Sequence, residues 1–132
     1  MALQIPPNCD LTLGLTCVDK STPGTTVWTM KADERMANPA GLIQGGFLAA
    51  MADSAMGASA VTALEGRRVT IVNTDMKISF IHAARPGDQL TCTARVLKAG
   101  RAVSFVEARI VDAQGRTVAT ARSSYLATAR AE

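Results

Sequence analysis

Asp53 is the only charged residue between Arg35 and Glu65, set in a run of Ala, Met, Leu and Ser. Burying a carboxylate costs on the order of several kcal/mol unless it is paired or solvated, so a cleft is its easiest home. There it could serve as general base for water or as a nucleophile. The plainer alternative is that it marks a narrow exposed strip. Upstream stands Asn38-Pro39-Ala40-Gly41-Leu42-Ile43-Gln44-Gly45-Gly46. Two glycines where a helix begins let the backbone approach a ligand with free N–H groups. Those donors and the positive end of the helix dipole favour negative charge developing on the oxygen of an attacked carbonyl. Taken alone, Gly45-Gly46 is a weak signal and reads more simply as a flexible helix start.

Gly45 and Asp53 are eight residues apart, roughly 12 Å along one helix. Reacting groups need contacts of about 3 Å, so one carbonyl carbon cannot reach both. If both take part, the oxyanion donors and the carboxylate come from different copies of the helix. A two-fold dimer with antiparallel helices side by side supplies that twice.

The elements that must position these groups are legible in outline. Leu11 to Asp19 and Thr25 to Asp33 read as two β-rich segments around Thr22-Pro23-Gly24. A helix follows from Gly45 to about Leu64, ended by Gly66; it is apolar nearly all round, so burial on most sides is expected. Val69 to Ile81 then alternates, with Thr70, Val72, Thr74, Met76, Ile78 and Phe80 on one face and Asn73, Asp75, Lys77 and Ser79 on the other. Strands are expected at Gln89 to Leu97, Ala102 to Asp112 and Thr117 to about Ala127, joined by tight turns. Two β segments, one long helix and four antiparallel strands make an α+β domain with an antiparallel sheet wrapped round one central helix. If the last four strands are sequential neighbours, Arg67, Arg68, Lys98, Arg101 and Arg130 gather at one edge. Cationic turns are commonly just solvated, but five together could hold phosphates.

At 132 residues the chain has the length of one domain. Aromatic content of 4% argues against a stacking platform for nucleic acid. A net charge of +3 serves solubility or an anionic ligand. Cys9, Cys17 and Cys92 are odd in number and loosely spaced, which suggests reduced thiols in the cytoplasm, neither a disulfide framework nor a metal site. His82 is the sole histidine and sits between a strand and a turn, away from the helix start, so a Ser-His-Asp triad or an imidazole metal cluster finds little support. Met1 to Asp10 has neither the basic start nor the apolar core of a secretory signal. The apolar run Leu42 to Leu64 carries Asp53 and three glycines, and so reads as a buried helix, not a membrane span.

Asn38-Pro39-x-Gly41-x-x-Gln44-Gly45-Gly46, Asp53, Val72-Asn73-Thr74-Asp75-Met76, Arg85-Pro86-Gly87-Asp88 and Lys98-Ala99-Gly100-Arg101 together resemble the phenylacetate-degradation (PaaI-like) acyl-CoA thioesterases of the hotdog superfamily. The resemblance runs from about Asp10 to Ala127. It implies the hotdog fold, a dimer with a continuous sheet or a dimer of dimers, and hydrolysis of a thioester on a medium-chain or aryl acyl-CoA, with no cofactor beyond the coenzyme A of the substrate. It implies that Gly45 gives the oxyanion N–H, with Gly46 beside it, and that Asn38 helps hold the thioester. Asp53 of the facing subunit activates water or attacks, and Asn73, with Thr74, sits near Asp53 and orients the water. Met51 and Met56 would form a pocket floor, and the basic edge suits coenzyme A or an acyl carrier protein. One departure stands out: the family usually has His immediately before the two glycines, and this chain has Gln44, which donates a hydrogen bond but does not titrate near neutrality.

Two rivals share this fold. A hydratase or dehydratase would generally rely on a site histidine, and a non-catalytic acyl-CoA sensor would keep the basic edge while Gln44 marks lost activity.

Overall fold

The computed structural model describes residues 4–130, so the first three residues of the Met1–Asp10 stretch lie outside it. Period-two burial sets the sheet. Along two of its strands, β5 (Val103–Val111) and β6 (Thr117–Ala129), the inward side is Ser104, Val106, Ala108 and Ile110, then Ala119, Ala121, Ser123 and Tyr125. With β1 (Thr16–Thr22), β2 (Thr25–Lys31), β3 (Val69–Phe80) and β4 (Gln89–Ala99) they form a six-stranded sheet in the order β1-β2-β4-β5-β6-β3, every neighbour antiparallel.

The long helix, here α2 (Gly45–Ala63), lies across the inner face, as the hotdog fold requires. It buries Leu48, Met51, Ala52, Ala55, Met56 and Ala60 against the sheet. The alanines allow close approach, and each fully buried methionine contributes about 1.5–3 kcal/mol. Ser59 fixes the rotation of the helix. Its hydroxyl lies 2.8 Å from that of Thr26 on β2 and donates to the Ala94 carbonyl on β4 at 3.1 Å. The burial expected on most sides of this helix is realised on one face only. Gly46, Ala50, Asp53, Gly57 and Val61 follow its other face and are exposed or half-buried. No helix among the described residues is long and apolar enough to cross a membrane.

Three expectations are corrected. The segment expected to open as strand at Leu11 is a short helix, α1 (Asn8–Leu13), and β1 begins only at Thr16. Leu11-Thr12-Leu13 alternates like a strand, but Gly14 at φ 66° caps a helix there, its N–H meeting the carbonyls of Asp10 and Leu11. The last four strands are not sequential neighbours: β3 pairs with β6 at the sheet edge, and β4 sits between β2 and β5. The segment after β3 crosses the end of the sheet, tied by Ile81 N–H to Val118 O and by Gly87 N–H to Ala32 O, both at 2.8 Å.

The third correction concerns the faces of β3. Its register passes from Asn73↔Tyr125 to Asp75↔Ser124, leaving Thr74 as the extra residue of a β-bulge. The alternation therefore changes phase. Ile71 and Asn73 are half-buried before the bulge, and Met76 and Ile78 after it, while Thr70, Val72, Thr74, Asp75, Lys77 and Ser79 are exposed. Asn73 itself stabilises the irregularity, because its Oδ1 accepts the Asp75 N–H at 3.1 Å.

Candidate active site

The bulge delivers Asn73 to α2. With its Oδ1 committed to Asp75, the amide must present Nδ2 inward, and Nδ2 donates to Asp53 Oδ1 at 2.8 Å. The same carboxylate oxygen takes a second hydrogen bond, at 2.7 Å, from the hydroxyl of Tyr125 on β6. That hydroxyl also lies 3.0 Å from the Asp53 main-chain carbonyl and 3.3 Å from Asn73 Nδ2. Asp53 is thus a half-buried helix carboxylate held from two neighbouring strands, with no hydrogen bond to Oδ2 among the described residues. Burial, reinforced by the bond to Asp53, pushes the Tyr125 phenol far above its usual range.

At the very next residue, Ser54 donates to the carboxylate of Asp10 at 2.8 Å, and Asp10 is itself buried. This bond ties α1 to α2 beside Asp53.

The start of α2 is held by three backbone contacts. Ile43 N–H reaches Ala84 O at 2.8 Å, Gln44 N–H reaches Met36 O at 2.9 Å, and Ala37 bridges Ile43. Asn38 shapes the loop before it. Its Oδ1 accepts from Ala40 N–H at 2.9 Å and Leu42 N–H at 3.1 Å, so only Nδ2 is left to face a ligand. The exposed Gln44 is the N-cap residue without making a side-chain cap bond, and Gly45 and Gly46 open the helix, where N–H groups have no acceptor one turn back. The Phe80 ring crosses Gly45 so closely that a Cβ there would lie 2.6 Å from its Cζ.

A thioesterase-superfamily model matches residues 40–119, more than half of the chain and the whole stretch from the helix start to β6. The chain belongs to that superfamily. Human "Acyl-coenzyme A thioesterase 13" is 29% identical over 116 residues, covering 87% of this chain and 81% of its own. Among solved structures, the Escherichia coli PaaI protein of the phenylacetic acid degradation operon superposes with a TM-score of 0.86 at 27% identity, over 92% of this chain and 85% of its own. A "phenylacetic acid degradation-related protein" from Ralstonia eutropha JMP134 does so at 0.83 and 28%, over 91% and 89%. The hotdog fold and the PaaI-like thioesterase kinship implied by the motifs are therefore correct, and the chain is of the thioester hydrolase class.

For this thioesterase the structure groups some of the expected residues and separates others. Asn73 meets Asp53 directly. Thr74 does not: it is exposed on the bulge, its hydroxyl donating to Ser124 O at 3.0 Å. Met51 and Met56 are wholly buried core residues with no accessible surface for a ligand. Arg67, Arg68, Lys98, Arg101 and Arg130 do share one end of the sheet. There Arg67 donates to Arg101 O at 2.9 Å, Arg130 N–H reaches Arg68 O at 3.1 Å, and Lys98 pairs in register with Phe105. They gather although β3 is paired differently from expectation, because β3 and β6 are also antiparallel. His82 is exposed, yet its segment is not remote from the helix start, since Phe80 and Ala84 on either side both touch it. A groove of about 780 Å³ lies on the outer face among Lys77, Arg95, Glu107, Arg109 and Arg122, away from Asp53. Tyr125 was missed by sequence reasoning. The available signal was its place on the inward phase of β6, two residues after Ser123, where a buried phenol needs a polar partner.

Proposed function

We propose that this chain hydrolyses acyl-CoA thioesters at a site shared between two copies of α2. The observation that carries this reading is Asp53: a half-buried carboxylate with one oxygen anchored to two strands and the other uncommitted, on a helix face that its own sheet does not cover. In the reaction, Oδ2 takes a proton from water as the water oxygen attacks the thioester carbon. Charge collects on the carbonyl oxygen, collapse expels the thiolate of coenzyme A, and the thiolate is then protonated. Attack by Oδ2 itself, through an acyl-enzyme anhydride, uses the same geometry; rapid-quench mass spectrometry of the Asp53 peptide distinguishes the routes by its acyl adduct.

Gly45 N–H is assigned to the developing oxyanion, with Gly46 beside it. Gln44, in place of the histidine usual in the family, supplies a neutral donor, and Asn38 Nδ2 holds the thioester end. Because Gly45 lies roughly 12 Å from Asp53 on the same helix, these donors come from the partner copy, antiparallel across a two-fold axis. The small residues Gly46 and Ala50 on the uncovered face would let two helices approach closely, giving a homodimer or a dimer of dimers. The five basic residues at the sheet end are assigned to the phosphates of coenzyme A. About 15 Å separates Asp53 from the end of α2, a span suited to a pantetheine arm.

Thiol release from medium-chain and aryl acyl-CoAs by wild type and Asp53→Asn tests the reading. Loss of at least about 100-fold in kcat with unchanged folding and assembly is expected. Near-normal turnover removes Asp53 from this role, and tight acyl-CoA binding by a wild type that releases no thiol identifies a binding protein instead.

A further inference from the structure

We propose that Tyr125 is a positioning residue for the reaction: its hydroxyl pins Asp53 Oδ1 and leaves Oδ2 as the reacting oxygen. This inference rests on the assignment of Asp53 under the proposed function.

The geometry supports it at each atom. The phenol oxygen lies 2.7 Å from Oδ1 and 3.0 Å from the carbonyl of the same residue. One hydroxyl therefore spans the side chain and main chain of Asp53 and restricts the torsion between them. Its single proton goes to the charged, nearer oxygen, because bonds to ionised acceptors are shorter and about twice as strong as neutral ones. Asn73 Nδ2 supplies the second bond to Oδ1. Two donors on one oxygen leave the other as the basic and accessible one.

Tyr125 does not touch substrate. It is 2% exposed, and its ring packs beside Gly57, one turn after Asp53, where a Cβ would meet it at an ordinary contact distance of 3.6 Å.

The surroundings explain why a neutral donor is used. From β6 Asp53 faces Tyr125 and, through Asn73, Ser123; from β3 it faces Asn73. From α1 the nearest acid is Asp10, engaged by Ser54. Among the described residues no Lys, Arg or His forms an ion pair with Asp53. With no cation beside it, the Asp53 side chain is oriented by hydrogen-bond donors alone, Tyr125 and Asn73. Tyr125 can donate at every pH the enzyme meets, because burial in the core keeps its phenol protonated.

Tyr125 is the only tyrosine in the chain, so two opposite perturbations can be made at one site. Tyr125→Phe removes the donor and keeps the ring. Growth on 3-fluorotyrosine in place of tyrosine makes the phenol a stronger donor at this position alone. Both proteins are assayed for kcat and KM against pH, with folding and assembly checked by circular dichroism and sedimentation.

Tyr125→Phe is expected to lower kcat about 10-fold or more and leave KM within a factor of about two. The fluorinated enzyme should change kcat at least about two-fold, again with KM unmoved. A Tyr125→Phe enzyme whose kcat matches wild type overturns the proposal, as does one whose KM rises as much as its kcat falls. If Tyr125→Phe does not fold, the fluorinated wild type decides by its kcat alone, and an unchanged kcat overturns the proposal. A fully active Asp53→Asn enzyme refutes the underlying reading instead, and so separates that failure from this one.

Discussion

Proline at position 45 removes the proposed oxyanion donor with little else changed. Gly45 is the first residue of α2, where proline is favoured because its missing N–H has no intrahelical acceptor. The residue before a proline must be extended, and Gln44 already is, at φ −64° and ψ 137°. The one steric obstacle is Phe80, whose Cζ would lie 2.6 Å from any Cβ at position 45. That obstacle is a half-exposed ring at the end of β3, free to swing away at small cost, and Gly45→Ala provides the control because it adds the same Cβ and keeps the N–H. Loss of one oxyanion donor costs about 100- to 1,000-fold in kcat, some 2.7–4 kcal/mol of transition-state stabilisation. Thiol release from a saturating acyl-CoA should therefore fall by that factor between Gly45→Ala and Gly45→Pro, at equal thermal stability and assembly. A Gly45→Pro enzyme within about five-fold of Gly45→Ala refutes the reasoning, whatever both lose to wild type through Phe80, because only the N–H differs in chemical function between them.

Mixing Asp53→Asn with Gly45→Pro subunits should restore up to half of the sites in each mixed dimer, since one interface then joins an intact carboxylate to an intact helix start; absence of recovery at confirmed subunit exchange counts against a shared site. The wild-type rate should show no alkaline limb below about pH 9, because burial holds the Tyr125 phenol protonated and Gln44 does not titrate; such a limb would require another titrating group in the site.

The helix was readable from the sequence because its signals agree: Gly45-Gly46 at one end, Gly66 beyond the other, and an uninterrupted apolar composition between them. The sheet was readable as strands but not as an order. Pairing of β3 with β6 is decided by the path of residues 81–88 across the sheet end, and that path is set by backbone bonds to Ala32 and Val118, which leave no trace in local composition. At the N-terminal end, a period-two run of only Leu11-Thr12-Leu13 carried no information against the left-handed Gly14 that closes a helix.

For the site the dividing line is sharper. Asp53 announced itself by being a lone charge in apolar company, and the glycines by their place at a helix start. Both are one-residue signals that survive without knowledge of what lies opposite. Asn73 and Tyr125 are different, because each matters only through its partner. Strict alternation put Asn73 on one face with Asp75, Lys77 and Ser79, and only the family resemblance set it beside Asp53; the bulge at Thr74 reverses the phase, and the bulge is stabilised by the Asn73 side chain itself. The same amide that hides Asn73 from a periodicity argument thereby turns its Nδ2 toward Asp53. Tyr125 then had to be inward, since the register places it directly opposite Asn73. A buried phenol and a buried amide on paired strands, facing a helix with one acid, leave that acid as the acceptor that satisfies both. The carboxylate's geometry thus rests on Asn73 and Tyr125 being direct cross-strand partners, and the one extra residue in β3, Thr74, is what lets Asn73 before it and Met76 after it both face inward.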